Sequence, residues 1–232
     1  MVRPRVTVYN ETSVDGRLEG FEQDAGRYYR LGFRWRSDAI LMGSVTAQNF
    51  GPAESSGQQA KTLPAPDRLP VFPGFEALVY EPRPLLVVPD SRGAVRNWSH
   101  ALAQPWYRSV VVLVSKTTPP GYLEYLERRG IEHLVAGEDR VDLPFALDQL
   151  HTRYGVQAVP TDCGGALNGV LLAAGVVDEL AVIINPSVCA TPGAQSWIRL
   201  PPTLTASVPS LTLVEVDRLE DGAVWLRYQV GQ

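Results

Sequence analysis

Short, mostly apolar runs recur along the chain and constrain its fold more than any other feature. They lie at residues 6–9, 39–42, 85–88, 110–114, 132–135, 156–159 and 180–184. Continuous runs of Val and Leu are typical of strands that are covered on both faces. Helix-like patterns separate most of the runs, and the clearest places Leu143, Leu147 and Leu150 on one face. This alternation predicts right-handed crossovers and a largely parallel sheet.

The two ends of the chain have different patterns. Residues 24–36 are predicted to form a helix, because Tyr28, Leu31 and Trp35 share one face. Residues 211–218 and 223–230 flank Asp221-Gly222, a pair typical of a hairpin turn. Residues 50–84 are rich in Gly, Pro, Ser and Gln and are predicted to form a long loop. We therefore predict one α/β domain, residues 1–232, with a mostly parallel central sheet, flanking helices and a C-terminal antiparallel hairpin.

Composition argues against several classes of partner. The formal net charge of -4 does not suit a nucleic-acid surface, which needs clustered Lys and Arg. No apolar run approaches the roughly 20 residues of a membrane span, and the amino terminus has no signal-peptide core. Cys163 and Cys189 lack a paired spacing, so a reducing cytoplasm is the simplest compartment. We expect a cytoplasmic protein that binds neither nucleic acid nor membrane.

The spacing of the His and Arg residues bears on metal and anion binding. The three histidines lie in separate predicted elements, so no metal site is predicted. A group of basic residues near the amino end could hold a small anion or form a solvated helix face. These residues are Arg17, Arg27, Arg30, Arg34 and Arg36.

Ligands bind open parallel sheets beyond the carboxyl ends of the strands, so the loops after the apolar runs are candidate sites. In the first loop, Asn10, Ser13 and Asp15 precede Gly16 and Arg17 and could bind substrate. The same polar groups could equally satisfy the backbone of a turn. In the second loop, Gly43 and Thr46 follow a strand and could open a helical turn over a phosphate. Alternatively, Ser44 is simply the N-cap of that helix.

Two later loops have the same position. Ser91 and Arg92 follow the run at residues 85–88 and could bind a phosphate, or form an ordinary turn with Gly93. Gly164-Gly165 follows the run at residues 156–159 and could bring the backbone against a pyrophosphate, or be no more than a tight turn. Cys163 lies at this helix start, where a thiol pKa can fall, so it is a candidate nucleophile or a small buried side chain.

In order along the chain, these loops resemble the RibD C-terminal domain family, which contains riboflavin-pathway pyrimidine reductases and is related in fold to dihydrofolate reductase. The resemblance spans most of the chain. The matching residues are Ser13-Val14-Asp15-Gly16-Arg17, Asp38-Ala39-Ile40-Leu41-Met42-Gly43 with Thr46, Arg83-Pro84, Gly164-Gly165, and Gly175-Val176-Val177-Asp178-Glu179-Leu180.

The resemblance implies a dihydrofolate reductase-like fold and an NADPH-dependent reduction of a ribosylaminopyrimidine phosphate at the sugar C1. It implies that the substrate-facing catalytic residues are Ser13 and Asp15, with Asn10, Arg17 and Asp162 as substrate-binding residues. Cofactor contacts are expected from Gly43, Thr46, Ser91, Cys163, Gly164, Gly165, Ala166 and Leu167. It also implies a homodimer that pairs through the C-terminal ribbon.

The sequence departs from the family pattern at two places. Family members commonly have Glu before Gly-Gly, whereas this chain has Cys163, with Asp162 one position earlier. Many have Asp shortly after the Thr, where this chain has Asn49 and Phe50. Two alternatives therefore stand beside the main prediction: a reductase of the same fold acting on a pterin, dihydrofolate or a secondary metabolite, and a non-catalytic dinucleotide-binding protein.

The choice between NADPH and NADH is left open by the sequence. A 2′-phosphate could be held by Ser91 and Arg92, by Ser115 and Lys116, or by neither pair.

Overall fold

The computed structural model describes residues 2–54, 68–202 and 209–231. The described residues form these strands: β1 (Arg5–Ser13), β2 (Ala39–Met42), β3 (Leu85–Pro89), β4 (Ser109–Val114), β5 (Glu132–Val135), β6 (Ala158–Asp162), β7 (Glu179–Asn185), β8 (Leu211–Arg218) and β9 (Val224–Val230). The helices are α1 (Ala25–Gly32), α2 (Ser44–Ala47), α3 (Trp98–Ala103), α4 (Pro120–Arg129), α5 (Leu143–Tyr154) and α6 (Gly165–Ala173).

The chain divides into two compact units. The first comprises the described residues of Met1–Pro4 and Ser37–Gln157, and the second those of Arg5–Arg36 and Ala158–Gln232. Parallel pairing predominates, and the chain ends in an antiparallel hairpin, so the predicted α/β class is confirmed. The single domain stays a prediction.

In the first unit, four strands pair in parallel in the order β5-β4-β3-β2. The continuous Val and Leu runs of β3 and β4 are almost entirely buried, as expected for strands covered on both faces. Leu86 and Val112 belong to a core cluster that also contains Trp98 of α3 and Leu126 of α4. The predicted helix at Leu143 is confirmed as α5, in which Asp142 caps the amino end by accepting a hydrogen bond from the Phe145 amide.

In the second unit, the strand order is β6-β1-β7-β9-β8. β1 pairs in parallel with β6 and with β7, whereas β9 is antiparallel to both β7 and β8. Gly222 in the hairpin turn has a φ of 86°, a left-handed conformation that glycine adopts without steric cost. The predicted hairpin is therefore confirmed.

β1 is longer than the sequence predicted. It extends to Ser13, because β7 continues to pair with it as far as Ser13 opposite Asn185. Asn10 and Ser13, predicted to lie in a loop, are therefore buried strand residues. The first candidate loop begins only after Ser13.

The helix predicted at residues 24–36 is shorter than expected. α1 begins after Asp24, which caps it by accepting from the Arg27 amide at 2.9 Å. A 3-10 turn follows at Phe33–Trp35 and ends at Arg36, whose φ of 38° is left-handed. The predicted apolar face is confirmed, since Tyr28, Leu31 and Trp35 pack on the core cluster of β1, β7 and β9.

Part of the predicted loop at residues 50–84 lies outside the described residues, at residues 55–67. Its described parts contain the end of a 3-10 turn at Gln48–Phe50 and another at Glu76–Leu78, but no strand. Among the residues that the structure describes, no helix is long and apolar enough to cross a membrane.

Arg27 forms a buried ion pair, although the sequence predicted either anion binding or a solvated helix face for it. Its guanidinium binds Glu11 of β1 and Asp221 of the hairpin turn, and the Arg27 and Glu11 side chains are 8% and 2% exposed. Asn185 of β7 also donates to Glu11 at 3.0 Å. Arg27 therefore joins α1 to β1 and to the hairpin. It neither binds a small anion nor forms part of a solvated helix face.

Replacing Arg27 with Met is expected to lower the free energy of unfolding by about 3–5 kcal/mol, because the Glu11 carboxylate loses its buried cation. Arg34→Met is the matched control, since Arg34 forms a half-exposed pair with Glu215 at 3.1 Å and should cost no more than about 1 kcal/mol. Urea unfolding of both variants measures the difference. Equal losses would contradict a structural role for the Arg27 pair.

Candidate active site

The Gly-Gly sequence forms the turn between β6 and α6. β6 ends at Asp162, Gly164 is the N-cap of α6, and no side chain caps this helix. The first amides of an α-helix have no carbonyl partner within it. In the described part of the chain, no acceptor is found for the amides of Gly165, Ala166 and Leu167. They form the positive end of the helix dipole, which suits an anionic group.

The two glycines of this turn have different environments. A Cβ on Gly165 would lie 1.9 Å from the carbonyl oxygen of Ser196, so the chain itself needs glycine there. A Cβ on Gly164 would meet Gln195 and Leu18 at 3.9 Å, an ordinary van der Waals distance, so a methyl group could be accommodated there. Gly165 is therefore required for close backbone packing, whereas Gly164 is not.

The segment at residues 194–200 packs on this glycine face and is called the strap here. The Arg199 amide donates to the Gly165 carbonyl at 2.9 Å, and the Arg199 carbonyl oxygen would lie 1.9 Å from a Cβ on Gly169. The Trp197 amide donates to the Gly16 carbonyl at 3.2 Å. The strap thus connects the turn after β1 with the start of α6.

Cys163 is a buried residue of this turn. Its thiol donates to Oδ1 of Asn168 at 2.9 Å, and burial raises the pKa of the thiol to about 12. The lowered thiol pKa expected for a nucleophile is therefore wrong, because the thiol is buried away from water and no cation faces the sulfur in the described structure. The alternative, a small buried side chain, fits the structure.

Asp162 ends β6 beside α1. Burial raises the pKa of its carboxyl, and a hydrogen bond from the Tyr28 hydroxyl at 3.3 Å acts in the opposite direction. Tyr28 in turn stacks on Tyr9, with ring centroids 4.5 Å apart. Sequence reasoning placed Tyr28 on an apolar helix face and did not identify its hydroxyl as a contact of Asp162.

Ser13, Asp15 and Arg17 are brought together at the end of β1. The Ser13 hydroxyl donates to Asp15 at 2.8 Å and accepts from the Arg17 amide at 3.0 Å. Hydrogen bonds from the Cys189 amide and from Ser13 lower the pKa of Asp15. The Arg17 guanidinium donates to the Ala194 carbonyl at 3.0 Å. These bonds fit the turn-backbone alternative, and the catalytic and substrate roles of the three residues stay predictions.

The side-chain amide of Asn10, in contrast, bonds to buried groups of the β6–α6 region. It donates to the Cys163 carbonyl at 3.0 Å and accepts from Asn168 at 2.7 Å. Asn10 does not bond to the backbone of the turn after β1, and its side chain is buried, at 6% exposure. Its substrate contact stays a prediction.

In the first unit, Gly43 and Thr46 lie at α2. Gly43 is the N-cap, so the alternative that Ser44 caps this helix is wrong. Thr46 lies within the single turn of α2 and is half-buried. Their predicted dinucleotide contacts stay predictions.

Ser91 lies in the turn after β3, also in the first unit. Its hydroxyl accepts from the Val141 amide at 3.0 Å, and its carbonyl accepts from the Thr118 hydroxyl at 2.9 Å. Asp90 shapes the same turn by accepting from the amides of Ala94 and Val95. Hydrogen bonds thus hold both ends of the turn, and the neighbouring Arg92 is exposed.

No group of three His, Cys, Asp or Glu side chains within residues 2–54, 68–202 and 209–231 could hold a metal ion.

Gly165→Ala is expected to lower the free energy of unfolding by about 3 kcal/mol or more, because the new methyl group would overlap the Ser196 carbonyl. Gly164→Ala is the matched control and should change it by no more than about 0.5 kcal/mol, since its Cβ has room and the residue has φ -81°. Denaturant unfolding of the two variants measures both values. A mild effect at Gly165 would contradict the close approach of the strap.

Two relatives of the chain have the same name, which is that of a reductase. The chain is 29% identical over 195 residues to the 2,5-diamino-6-ribosylamino-4(3H)-pyrimidinone 5′-phosphate reductase of Methanothermobacter thermautotrophicus, covering 81% of this chain and 80% of the relative. It is 23% identical over 198 residues to the Aquifex aeolicus protein of the same name, covering 80% and 78%.

Solved structures share the fold. A pyrimidine reductase-like protein from Corynebacterium diphtheriae superposes with a TM-score of 0.68 at 19% identity, covering 99% of this chain and 92% of that one. The riboflavin biosynthesis reductase of Saccharomyces cerevisiae gives 0.64 at 17% identity, covering 100% and 91%. The sequence profile of the RibD C-terminal domain matches residues 4–225. The chain therefore belongs to the RibD C-terminal domain family.

Proposed function

We propose that the protein is an NADPH-dependent reductase of a ribosylaminopyrimidine phosphate, of the riboflavin biosynthesis type, in which hydride is delivered to the ribose C1. The observation that carries the proposal is the family match over residues 4–225. Two relatives named for this reaction support it, because each aligns over about four-fifths of both chains. Both cysteines are free thiols, which suits the cytoplasm that we propose as its compartment.

The start of α6 fits the pyrophosphate of a nicotinamide dinucleotide. The amides of Gly165, Ala166 and Leu167 are free of protein acceptors in the described structure, so they can donate to an anion at the helix start. A bound NADPH would supply the hydride, and the protein's task is to hold and orient it. We assign the pyrophosphate to this turn, residues 163–167, and further contacts to Gly43, Thr46 and Ser91.

The polar group after β1 fits a substrate contact. The lowered pKa of Asp15 keeps its carboxylate ionised at neutral pH, so it suits accepting a hydrogen bond from a substrate amino or hydroxyl group. Ser13 is 1% exposed and acts through Asp15 by fixing the carboxylate. Arg17 beside it suits an anionic substrate group. We propose that Asp162, whose carboxyl pKa is raised by burial, also contacts the substrate.

The proposal is tested by incubating the purified protein with NADPH and the diaminopyrimidine ribosyl phosphate and following the loss of reduced-nicotinamide absorbance. We expect turnover, and we expect Asp15→Asn to lower kcat/KM at least about tenfold, because a charged hydrogen bond is lost. Turnover of a pterin or dihydrofolate instead would identify the alternative reductase. NADPH binding without turnover of any substrate would identify the non-catalytic dinucleotide-binding protein.

Preference for NADPH is proposed to come from Arg92. Ser115 is fully buried, and its hydroxyl is engaged with Thr118 and the Asp139 carbonyl. Lys116 is paired with Glu138 at 2.6 Å. Arg92 is exposed in the turn after β3 and makes no ion pair in the described structure, so its guanidinium suits a 2′-phosphate.

Arg92→Ala is therefore expected to reduce the ratio of kcat/KM for NADPH to that for NADH by about tenfold or more, because a charge-assisted contact to the 2′-phosphate is lost. Lys116→Ala is the matched control, since it removes a nearby cation that already has a carboxylate partner. Initial-rate measurements with both cofactors give the two ratios. A larger change for Lys116→Ala than for Arg92→Ala would assign the 2′-phosphate to the other pair.

We also propose a homodimer that pairs through β8. This strand ends the strand order of the second unit, and Leu211, Leu213, Val214 and Val216 are 47–57% exposed. An exposed edge strand offers unpaired backbone groups with which another chain can pair. We expect a dimer by light scattering and a monomer for Val214→Lys, with Val188→Lys, a substitution at an exposed site outside β8, as the control. A monomeric wild-type protein would refute the dimer.

A further inference from the structure

Asn168 is a completely buried polar residue in the first turns of α6. Its Nδ2 donates to Oδ1 of Asn10 at 2.7 Å and to the Trp197 carbonyl at 2.8 Å. Its Oδ1 accepts from the Cys163 thiol at 2.9 Å, with the Thr161 hydroxyl farther away at 3.4 Å. At 0% exposure, Asn168 has both polar atoms of its side chain satisfied by protein groups.

These bonds connect three segments around the start of α6. Asn10 belongs to β1, Cys163 to the β6–α6 turn, and Trp197 to the strap. Asn10 also donates to the Cys163 carbonyl at 3.0 Å, which closes a ring of hydrogen bonds through Asn168. Cys163 belongs both to this ring and to the turn whose amides are free.

A side-chain amide is a costly way to fill an apolar interior, because each buried polar atom must keep its partner. An aliphatic residue could fill the same space, but it could not fix the Cys163 and Trp197 groups relative to each other. A fully bonded buried network specifies one arrangement of the segments that it joins. The Asn168 amide also donates to the Gly164 carbonyl at 3.3 Å, so the backbone and the side chain of Asn168 both hold the turn.

We propose that Asn168 is a positioning residue for the dinucleotide site: through Cys163, Asn10 and Trp197 it holds the β6–α6 turn in the arrangement that presents the amides of residues 165–167 to the pyrophosphate. The inference rests on the proposed function. Asn168 itself is buried and acts through the turn.

The experiment compares Asn168→Ala with Glu54→Gln. Glu54 is a matched control because it is also a buried polar hub, accepting from the Ser99 amide at 2.7 Å and from Tyr125 at 3.0 Å and pairing with Arg129 at 2.8 Å. For each variant, the NADPH Kd is measured by fluorescence titration, Tm by thermal unfolding, and KM and kcat by initial rates. Fluorescence gives the Kd without turnover.

We expect Asn168→Ala to raise the Kd and KM for NADPH about tenfold, with kcat changed by less than about threefold, because misplacing a binding turn weakens positioning. Glu54→Gln should lower Tm while its Kd stays within about twofold of wild type. A split of this kind between KM and kcat is not expected from a residue that only stabilises the fold.

If Asn168→Ala does not fold, the Cys163 contact provides the second test. Cys163→Ala removes the thiol donor to Asn168 and is expected to weaken NADPH binding, whereas Cys163→Ser keeps a donor and should weaken it less. Wild-type protein that does not bind NADPH would overturn the proposed function and this inference with it. Wild-type binding that neither Asn168→Ala nor Cys163→Ala weakens would overturn the inference alone.

Discussion

The pairing of β1 with two parallel neighbours is the constraint on which the second unit depends. Because β7 pairs with β1 as far as Ser13, the polar residues at the carboxyl end of β1 are buried rather than solvated. Buried polar groups need partners, since an unsatisfied one costs about 1–3 kcal/mol. Three of these side chains are bonded to other residues: Asn10 to Asn168, Glu11 to Arg27, and Ser13 to Asp15.

The connections give the end of β1 two kinds of surroundings. Around Glu11 they form a structural ion pair, in which Arg27 joins α1 to the hairpin. Around Asn10 and Ser13 they shape the turn before α6 and hold the Asp15 carboxylate in an exposed position. The burial of the end of β1 thus accounts both for the ion pair that supports the second unit and for the bonds that position the candidate site residues.

Close packing of glycine backbone completes this arrangement. Gly165 and Gly169 lie on one face of α6, where a side chain would overlap the strap carbonyls of Ser196 and Arg199. The strap can therefore reach Asn168 and the Gly165 carbonyl. Only the second glycine of the Gly-Gly pair is required by this packing, since a Cβ on Gly164 would meet its neighbours at an ordinary 3.9 Å.

The sequence by itself determined the α/β class, the order of the elements and the loops at strand ends, because apolar periodicity is a local property. The runs at residues 39–42, 132–135 and 211–218 match β2, β5 and β8 at both ends. It did not determine the length of β1, the burial of Arg27 or the raised pKa of Cys163. Those depend on partners far apart in the chain: Asn168 and Asn10 are 158 positions apart, and Arg27 and Asp221 are 194. Only the tertiary structure decides such pairings, because hydrogen bonds and burial depend on distance in space rather than along the chain.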